Sequence, residues 1–409
     1  MRILILTQYF PPETGAPQNR LHSLAGYFSD LGAEVSVLTA MPNYPKMEVL
    51  EGYKGEFYKF ETDKNLKVHR SWIFVNKSKG IFSRLLNYFS FVFTSLYIGL
   101  VKVGKHDLII CESPPLFLGI SAILLKWAKG SKLVFNVSDL WPESAEKLNI
   151  IHNKFLLDVS YKLESFIYSK SNLVSGQTQG IVKNISVRFP NVATYWLPNG
   201  IDYNQIDILA NSFDFRIQYG FKISDFILMY AGILGHAQGL DVILKCADIT
   251  RNQLEIKYVI IGDGPEKQKL LMLASELNLN NLQFIENIPR THISNAIAAC
   301  DAYIVPLKKN NLFLGAIPSK LFEPLAMGKP ILLGVDGEAR ELFIEKGKAG
   351  LFFMPENSFE LSEKIVFLYS NRKELHILGE NGKKYVSNNF NREKIAKNYF
   401  KVLSELNGD

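Results

Sequence analysis

A lysine and a glutamate stand three residues apart in the segment 316–331, between the Pro and Gly residues that begin and end a short helix. Pro318 and Ser319 predict an initial turn with Ser319 as N-cap, followed by a helix that begins at Lys320. Lys320 and Glu323 then share the positive end of that helix. A diphosphate could bind the lysine and free backbone N–H groups while Glu323 accepts hydrogen bonds from sugar hydroxyls. The alternative is an ordinary surface ion pair.

Two acids follow the predicted strand Lys132 to Val137, where a parallel sheet places its ligands. Asp139 is a candidate for orienting or deprotonating an acceptor hydroxyl, and Glu143 for holding acceptor or donor hydroxyls. Asp139 could equally cap the helix that begins near Glu143.

A long polar loop runs from Thr7 to Arg20 after the first predicted strand. Gly15 is a candidate for closing over a donor phosphate. Arg20 lies at the start of the next helix. Its side chain either reaches the cleft that would hold this phosphate or is solvated in the first turn of the helix.

The chain has 409 residues, of which 47% are hydrophobic, so it is long enough for two folded domains. Its net charge of +6 is spread among many acids, which does not indicate a nucleic-acid binder and suits an anionic membrane surface better. Three well-separated cysteines and scattered histidines indicate neither a disulfide framework nor a metal site, and a reducing cytoplasm is expected.

Short aliphatic runs alternate with helical stretches along the whole chain, which is typical of parallel sheets covered by helices. We therefore predict an α/β protein with two doubly wound, Rossmann-like domains. The predicted border lies near residue 200, so the first domain comprises residues 1–200 and the second comprises 201–390. The predicted strands are 3–6, 34–38, 108–111, 132–137 and 173–176 in the first half, and 226–230, 257–261, 282–285, 302–305, 331–333 and 350–353 in the second.

The stretch Ile81 to Val103 is rich in Phe, Leu and Tyr, is interrupted by Arg84, and has basic residues at both ends. A helix of this kind is suited to lying on a bilayer, so residues 77–105 are expected to contact a membrane surface. An ordinary core helix between two strands is the alternative, and the two are compatible if opposite faces serve each role.

Glycines follow the predicted strands of the second half, where a nucleotide's backbone contacts would fall. Gly232 and Gly235 come after the strand that ends at Tyr230, and Gly262 and Gly264 after the next one. Glycines allow close approach of the main chain to a phosphate, although tight turns need them equally. For Gly262 and Gly264, a structural role is favoured.

Several motifs in order along the chain resemble the family 4 retaining glycosyltransferases, in the subgroup similar to bacterial L-fucosamine transferases of surface-polysaccharide assembly. The motifs are T-Q-Y-F-P-P-E-T-G-A-P from Thr7, D-L-W-P-E-S from Asp139, L-P-N-G-I-D from Leu197, Y-A-G-I-L-G from Tyr230, I-G-D-G-P from Ile261 and P-S-K-L-F-E from Pro318. The resemblance implies the GT-B fold, in which the two domains face across a cleft and the C-terminal helix, 391–409, returns to pack on the first domain. It also implies a sugar-nucleotide donor, with UDP as the expected nucleotide.

The resemblance also implies site residues in the second half. Ile288 and Arg290 lie where the family's backbone holds the base, and Pro318, Ser319 and Leu321 add donor contacts around Lys320. Glu323 matches the second glutamate of the E-x7-E pattern, which bonds the donor ribose.

The chain departs from the family at three positions. The first glutamate of E-x7-E is replaced by Gly315, and the usual Arg and Lys that clamp the diphosphate are replaced by Leu234 and Gln238. Lys320 is then the chief candidate for countering the diphosphate charge.

We expect a cytoplasmic enzyme on the inner face of the membrane that needs no metal or other cofactor. It would move a sugar, an N-acetylated hexosamine or a deoxyhexosamine, from a UDP-sugar to a polyprenyl-diphosphate-linked saccharide in O-antigen or capsule assembly, with Asp139, Lys320 and Glu323 as catalytic residues. The alternatives are a sugar-nucleotide 2-epimerase of the same fold and an inactive binding subunit.

Overall fold

The computed structural model describes residues 1–13, 15–44, 46–77, 80–147, 151, 153–207 and 210–408, without the side chains of 16, 81, 290 and 291. The chain divides into two compact units, Met1–Asn199 with Arg392–Asp409, and Gly200–Asn391. Each boundary lies within one residue of the predicted domain limits.

Unit 1 is built on a sheet in the order β3-β4-β2-β1-β5-β6-β7-β8, parallel throughout except for the antiparallel pair β3 and β4. The order reverses between β1 and β5, which are neighbours, so the loops after these strands diverge at the carboxyl edge. The strands are β1 Arg2–Leu6, β2 Glu34–Ala40, β3 Tyr58–Asp63, β4 Leu66–Ser71, β5 Leu108–Ser113, β6 Lys132–Val137, β7 Leu173–Gly176 and β8 Thr194–Trp196.

Helices cover both faces of this sheet because its central strands are apolar on both sides. On one face, apolar residues of α1 and the C-terminal helix α14 pack over Ile3 and Ile5. On the other face, α2, α3, α5 and α6 pack over Leu4 and Cys111. The helices of unit 1 are α1 Ala16–Asp30, α2 Ile81–Val101, α3 Leu118–Lys129, α4 Glu143–Lys147, α5 Lys154–Lys170, α6 Gln179–Arg188 and α14 Arg392–Asn407.

Unit 2 has a fully parallel sheet in the order β11-β10-β9-β12-β13-β14, with its reversal between β9 and β12. The strands are β9 Phe226–Ala231, β10 Ile256–Ile261, β11 Leu282–Ile285, β12 Ala302–Pro306, β13 Ile331–Gly334 and β14 Gly350–Phe352. The helices are α7 Ser212–Gln218, α8 Asp241–Ile249, α9 Lys267–Glu276, α10 Arg290–Ala299, α11 Phe322–Ala326, α12 Ser358–Ser370 and α13 Arg372–Asn389.

All predicted strands are present, with ends that differ by at most two residues. The hairpin of β3 and β4 and the short β8 were not predicted. β3 reads Y-K-F-E-T-D and is half exposed at the sheet edge, so it lacks the apolar run that marked the central strands.

The prediction that Arg20 is solvated in the first turn of the helix is wrong, whereas its contact with an acceptor or sugar stays a prediction. Arg20 lies in the second turn of α1, and its side chain is only 5% exposed, against 4% for its partner Glu112 at the end of β5. The Arg20 guanidinium donates to the Glu112 carboxylate at 2.5 Å and to Ser138 Oγ at 3.2 Å. Long-range pairing of this kind leaves no local trace in the sequence.

The Glu112 carboxylate organises the ends of three neighbouring strands. Asn136 on β6 donates to it at 2.7 Å, and Ser138 after β6 donates to its other oxygen. Ser175 on β7 donates to Asn136 Oδ1 at 2.7 Å and lies 3.1 Å from the Tyr399 hydroxyl of α14. The returning helix is therefore tied into the centre of unit 1 by a polar network as well as by apolar packing.

We expect Arg20→Met to destabilise unit 1 by about 3–5 kcal/mol, because it leaves the buried Glu112 charge without its counter-charge. The double variant Arg20→Met/Glu112→Leu should regain most of that loss, since it removes both charges. Thermal unfolding midpoints measure both effects. Arg2→Met is the matched control, because the Arg2–Asp107 pair lies at the surface and its loss should shift the midpoint far less. Equal losses from Arg20→Met and Arg2→Met would contradict this account.

Candidate functional site

Lys320 lies in unit 2, in a single 3-10 turn, Ser319–Leu321, that runs directly into α11. Its ammonium donates to the Tyr230 hydroxyl and to Gln238 Oε1, each at 2.6 Å, and lies 4.2 Å from the Tyr230 ring centre. Tyr230 is fully buried on β9, and its hydroxyl also donates to the Ile233 carbonyl at 2.7 Å. The lysine is therefore held at the carboxyl end of β9 by neutral groups.

Desolvation lowers the pKa of Lys320 from its ordinary value to about 7. No carboxylate opposes this effect in the part of unit 2 that the structure describes, and both hydrogen-bond partners are uncharged. A positive charge placed without an acid beside it is stabilised when an anion binds. The surroundings of Lys320 thus favour an anionic ligand.

Glu323 lies in α11 and is only 8% exposed, with Ser294 of α10 donating to its Oε1 at 3.4 Å. The alternative, a surface ion pair between Lys320 and Glu323, is therefore not formed, since Lys320 binds Tyr230 and Gln238 instead. No local pattern predicts that Ser294, 29 residues away in the chain, contacts Glu323.

The predicted helix start differs in detail from the structure. The residue before the 3-10 turn is Pro318, which makes no side-chain cap bond, so the prediction of Ser319 as N-cap is wrong. Ser319 is exposed within the turn, whereas Leu321 is completely buried and can offer a ligand only its backbone. α11 has five residues, fewer than predicted, because Gly328 takes a positive φ just beyond it.

The glycines after β9 and β10 are needed where two backbones meet. A Cβ on Gly262 would lie 2.0 Å from the Gly232 carbonyl oxygen, and one on Gly264 would lie 2.5 Å from the Leu234 carbonyl oxygen. The structural role favoured for Gly262 and Gly264 agrees with this packing. A Cβ on Gly232 would lie 3.4 Å from Lys320 Nζ, so Gly232 belongs to the lysine's surroundings.

The two positions that lack the family's cations have different roles. Leu234 is fully buried in the core of unit 2 and is unavailable to a ligand. Gln238 is the acceptor for Lys320, a role that its position in the sequence did not suggest. Leu234 is therefore a core residue, and Gln238 is a hydrogen-bond acceptor that holds Lys320.

The other predicted donor residues occupy loops of unit 2. Gly235 precedes the 3-10 turn His236–Gln238 with an ordinary negative φ, so its backbone does not require glycine. Ile288 is half-buried in the loop after β11. Arg290 begins α10, but its side chain lies outside what the structure describes.

Asp139 lies in unit 1, just after β6, and keeps access to solvent. Partial desolvation raises its pKa above the usual range, although the hydroxyl of Ser144 donates to its Oδ2 at 2.9 Å and opposes the shift. A carboxylate with a raised pKa is a better proton acceptor near neutral pH, so the geometry is compatible with a base. Its bond to the Ser144 side chain also fixes the start of α4.

Glu143 is committed to other side chains, with Lys147 Nζ at 2.5 Å and Asn184 Nδ2 at 3.2 Å from its two oxygens. Gly15 precedes α1 with an extended backbone, and a Cβ there would meet the flexible end of Gln18 at 2.4 Å. Neither contact tests the ligand roles predicted for Glu143 and Gly15.

Sequence reasoning missed Glu13, which is 3% exposed in the loop after β1. Its carboxylate accepts from the backbone N–H groups of Asn43 at 2.7 Å, Tyr44 at 2.8 Å and Phe10 at 3.3 Å, while burial raises its pKa. Glu13 therefore joins the loops that follow β1 and β2. The pattern that could have indicated this role is an acid in the middle of a Pro-rich turn.

In the described parts of the chain, no three His, Cys, Asp or Glu side chains are grouped closely enough to hold a metal ion. Metal-independent catalysis stays a prediction.

Comparison with known proteins bears on both units. Residues 211–385 match the family described as "Glycosyl transferases group 1". The chain is 25% identical over 341 residues, 80% of its length, to a putative colanic acid biosynthesis glycosyl transferase, WcaI, of Escherichia coli K12, and covers 82% of that protein.

Solved structures share the fold across the whole chain. A sucrose-phosphate synthase from Thermosynechococcus elongatus aligns with a TM-score of 0.75 at 15% identity, covering 99% of this chain and 98% of the other. HepE of Anabaena, solved in complex with UDP and glucose, aligns with a TM-score of 0.71 at 19% identity, covering 99% and 100%.

The predicted GT-B fold class is confirmed by these structures. Residues 211–385 resemble glycosyltransferase group 1 domains, and this match together with the similarity to WcaI indicates that the protein is a glycosyltransferase.

Proposed function

We propose that this glycosyltransferase is a retaining enzyme that moves a sugar from a UDP-sugar to a polyprenyl-diphosphate-linked saccharide during assembly of a bacterial surface polysaccharide. The observation that carries the proposal is the Lys320 ammonium, which is partly desolvated and, among the described residues, is bound by the neutral Tyr230 hydroxyl and Gln238 amide without an acid. A diphosphate supplies the negative charge that these surroundings favour. The name of WcaI and the UDP bound to HepE support the pathway and the nucleotide.

In this mechanism, Lys320 stabilises the charge that develops on the departing diphosphate. Glu323, held by Ser294, accepts hydrogen bonds from the donor ribose. Asp139 orients the acceptor hydroxyl and takes up its proton. The acceptor then attacks the face of the sugar that the nucleotide leaves.

We propose further that the enzyme is cytoplasmic and rests on the inner face of the membrane through α2. That helix is long and apolar enough to cross a membrane by length and composition, but 39% of its stretch Phe82–Val101 is buried within the protein. Phe91 and Ile98 face the core, whereas Phe82 and Phe93 are 80% and 67% exposed. Opposite faces of one helix thus serve packing and lipid contact, with Lys102 and Lys105 at its far end for anionic headgroups.

We expect UDP to raise the thermal unfolding midpoint more than GDP, ADP or dTDP do. At about a hundredfold excess over its dissociation constant, a ligand adds about 2.7 kcal/mol to the free energy of unfolding. Lys320→Met and Glu323→Ala should lose this shift, because one loses the counter-charge and the other a ribose contact. Lys373→Met, at an exposed position of α13, is the matched control and should keep it. The absence of a shift with all four nucleotides would favour an inactive binding subunit.

We expect UDP binding above pH 7 to take up a proton. Lys320 has a pKa of about 7 in the free protein, and the bound diphosphate raises this pKa, so affinity falls as pH increases above 7. Calorimetric titration at pH 8 in buffers of different ionisation enthalpy should give an uptake close to one proton. Lys320→Arg is the control, because a guanidinium stays protonated and needs no uptake. The same uptake in both proteins would assign the proton to another group.

We expect Asp139→Asn to lower turnover by about a hundredfold or more while UDP affinity stays nearly unchanged, because a general base is lost and the nucleotide contacts are kept. Initial rates with UDP-sugars and lipid-linked saccharides measure the first effect and UDP titration the second. Glu146→Gln, seven residues away, is the matched control and should retain most activity, since Glu146 is exposed and accepts a hydrogen bond from the Tyr161 hydroxyl. Wild-type turnover in Asp139→Asn would mean that Asp139 is not a base and only accepts the hydrogen bond from Ser144 at the start of α4.

A further inference from the structure

Five exposed apolar side chains fall on one face of α2, and we call them the α2 stripe: Phe82, Leu86, Phe93, Tyr97 and Leu100. Their spacing of three, four and seven residues places them on one side of a helix with 3.6 residues per turn. The stripe lies opposite Phe91 and Ile98, which are buried against the sheet. It begins at the carboxyl edge of the sheet, because α2 follows β4.

Phe89 has the same helical phase as the stripe but is half-buried, because Phe117 packs on it. The Phe89 and Phe117 ring centres are 4.8 Å apart, and Phe117 meets Trp141 edge-on at 5.2 Å. We call Phe89, Phe117 and Trp141 the ring bridge. All three rings are half-buried and keep part of their surface exposed at the edge where β5 and β6 end.

The ring bridge ends beside the candidate base. The Trp141 backbone N–H donates to the Asp139 carbonyl at 2.9 Å, so the last ring and the Asp139 carboxylate belong to one tight turn. Apolar surface therefore continues from the exposed face of α2 to within two residues of Asp139. A core contact alone would not require the rings to remain open at this edge.

A positive charge lies beside this apolar path. Arg84 is exposed in the first turn of α2. Arg84 and Tyr88 are four residues apart on α2, so their side chains are neighbours on one face of the helix. The Tyr88 ring in turn lies 6.4 Å from the ring of Phe117. A cation and a row of apolar rings thus occur together at the start of α2.

We propose that Arg84 and the ring bridge form the binding site for the isoprenoid diphosphate of the acceptor. Arg84 pairs with the acceptor diphosphate, and the first isoprene units lie on Phe89, Phe117 and Trp141. The rest of the lipid follows the α2 stripe into the bilayer. The attached saccharide is thereby held next to Asp139. This inference rests on the proposed function and adds where the lipid end of the acceptor binds.

The test uses farnesyl diphosphate as the probe, below its micelle concentration and without membranes, in equilibrium dialysis with the full chain saturated with UDP. Saturating UDP occupies the Lys320 site, so the probe's diphosphate reports a second site. We expect farnesyl diphosphate to bind at least tenfold more tightly than geranyl diphosphate, because the shorter chain covers fewer rings. Inorganic diphosphate should bind more weakly still.

Phe117→Ser and Arg84→Met should each weaken farnesyl diphosphate binding by about tenfold or more, because one removes apolar surface and the other the counter-charge. Phe359→Ser is the matched control, since Phe359 is 63% exposed on α12 of unit 2. Arg84 is exposed, so Arg84→Met tests the site even where Phe117→Ser unfolds unit 1.

Vesicle flotation on phosphatidylglycerol and phosphatidylethanolamine separates this site from general membrane attachment. Phe93→Ser, on the α2 stripe, should weaken vesicle binding and leave farnesyl diphosphate affinity within twofold of wild type. Phe117→Ser should do the reverse. Unchanged farnesyl diphosphate affinity in both Phe117→Ser and Arg84→Met would overturn the inference.

The two proposals fail in different ways. A UDP-induced stability shift without farnesyl diphosphate binding would overturn the acceptor site and leave the donor function intact. Farnesyl diphosphate binding without any UDP effect would overturn the donor assignment.

Discussion

The candidate donor site depends on one constraint, which is that a lysine ammonium is placed beside β9 without an acid to balance it. Lys320 is held by Tyr230 and Gln238, and both partners are neutral. The turn after β10 can approach Gly232 and Leu234 because Gly262 and Gly264 have no Cβ. The close packing of these two loops therefore fixes the backbone beside a charge that favours an anion. A core acid in this position would have stabilised the empty site and weakened ligand binding.

In unit 1, by contrast, the buried cation Arg20 has an acid as its partner. Arg20 is paired with Glu112, and the acid is bonded further to Asn136 and Ser138. Such a network joins strands and helices but leaves little charge for a ligand. Both units thus hold a cation by hydrogen bonds from its side chain. The partner is a charged carboxylate in unit 1, whereas the partners are neutral in unit 2, so the charge of Lys320 can attract an anion. Sequence position alone does not reveal that difference.

The strands and the glycine turns could be predicted because each follows from a local pattern. An apolar run such as Ile3 to Leu6 has few alternatives to a buried strand, and Gly262 and Gly264 occur where a tight turn must follow one. Some errors are local, such as Ser319 as N-cap and the unpredicted β3, but those at the buried cations concern partners that are distant in the chain. Arg20 meets Glu112 across 92 residues, and Lys320 meets Gln238 across 82. A sequence motif can identify the residues of a site. Whether the charge of such a residue is neutralised by a partner depends on tertiary packing.

The α2 segment shows why composition alone gave two interpretations for one helix. Its buried face, with Phe91 and Ile98, and its exposed face, with Phe82 and Phe93, are both aromatic and aliphatic. Hydropathy sums the two faces and cannot separate them, whereas packing against the sheet does. Phe89 lies where the two environments meet, because Phe117 covers it from the strand end. An amphiphilic acceptor has the same division along its length, with an apolar chain beside a charged diphosphate. The α2 stripe, the ring bridge and Arg84 together offer both an apolar surface and a positive charge. They therefore suit an amphiphilic acceptor better than either face of the helix does alone.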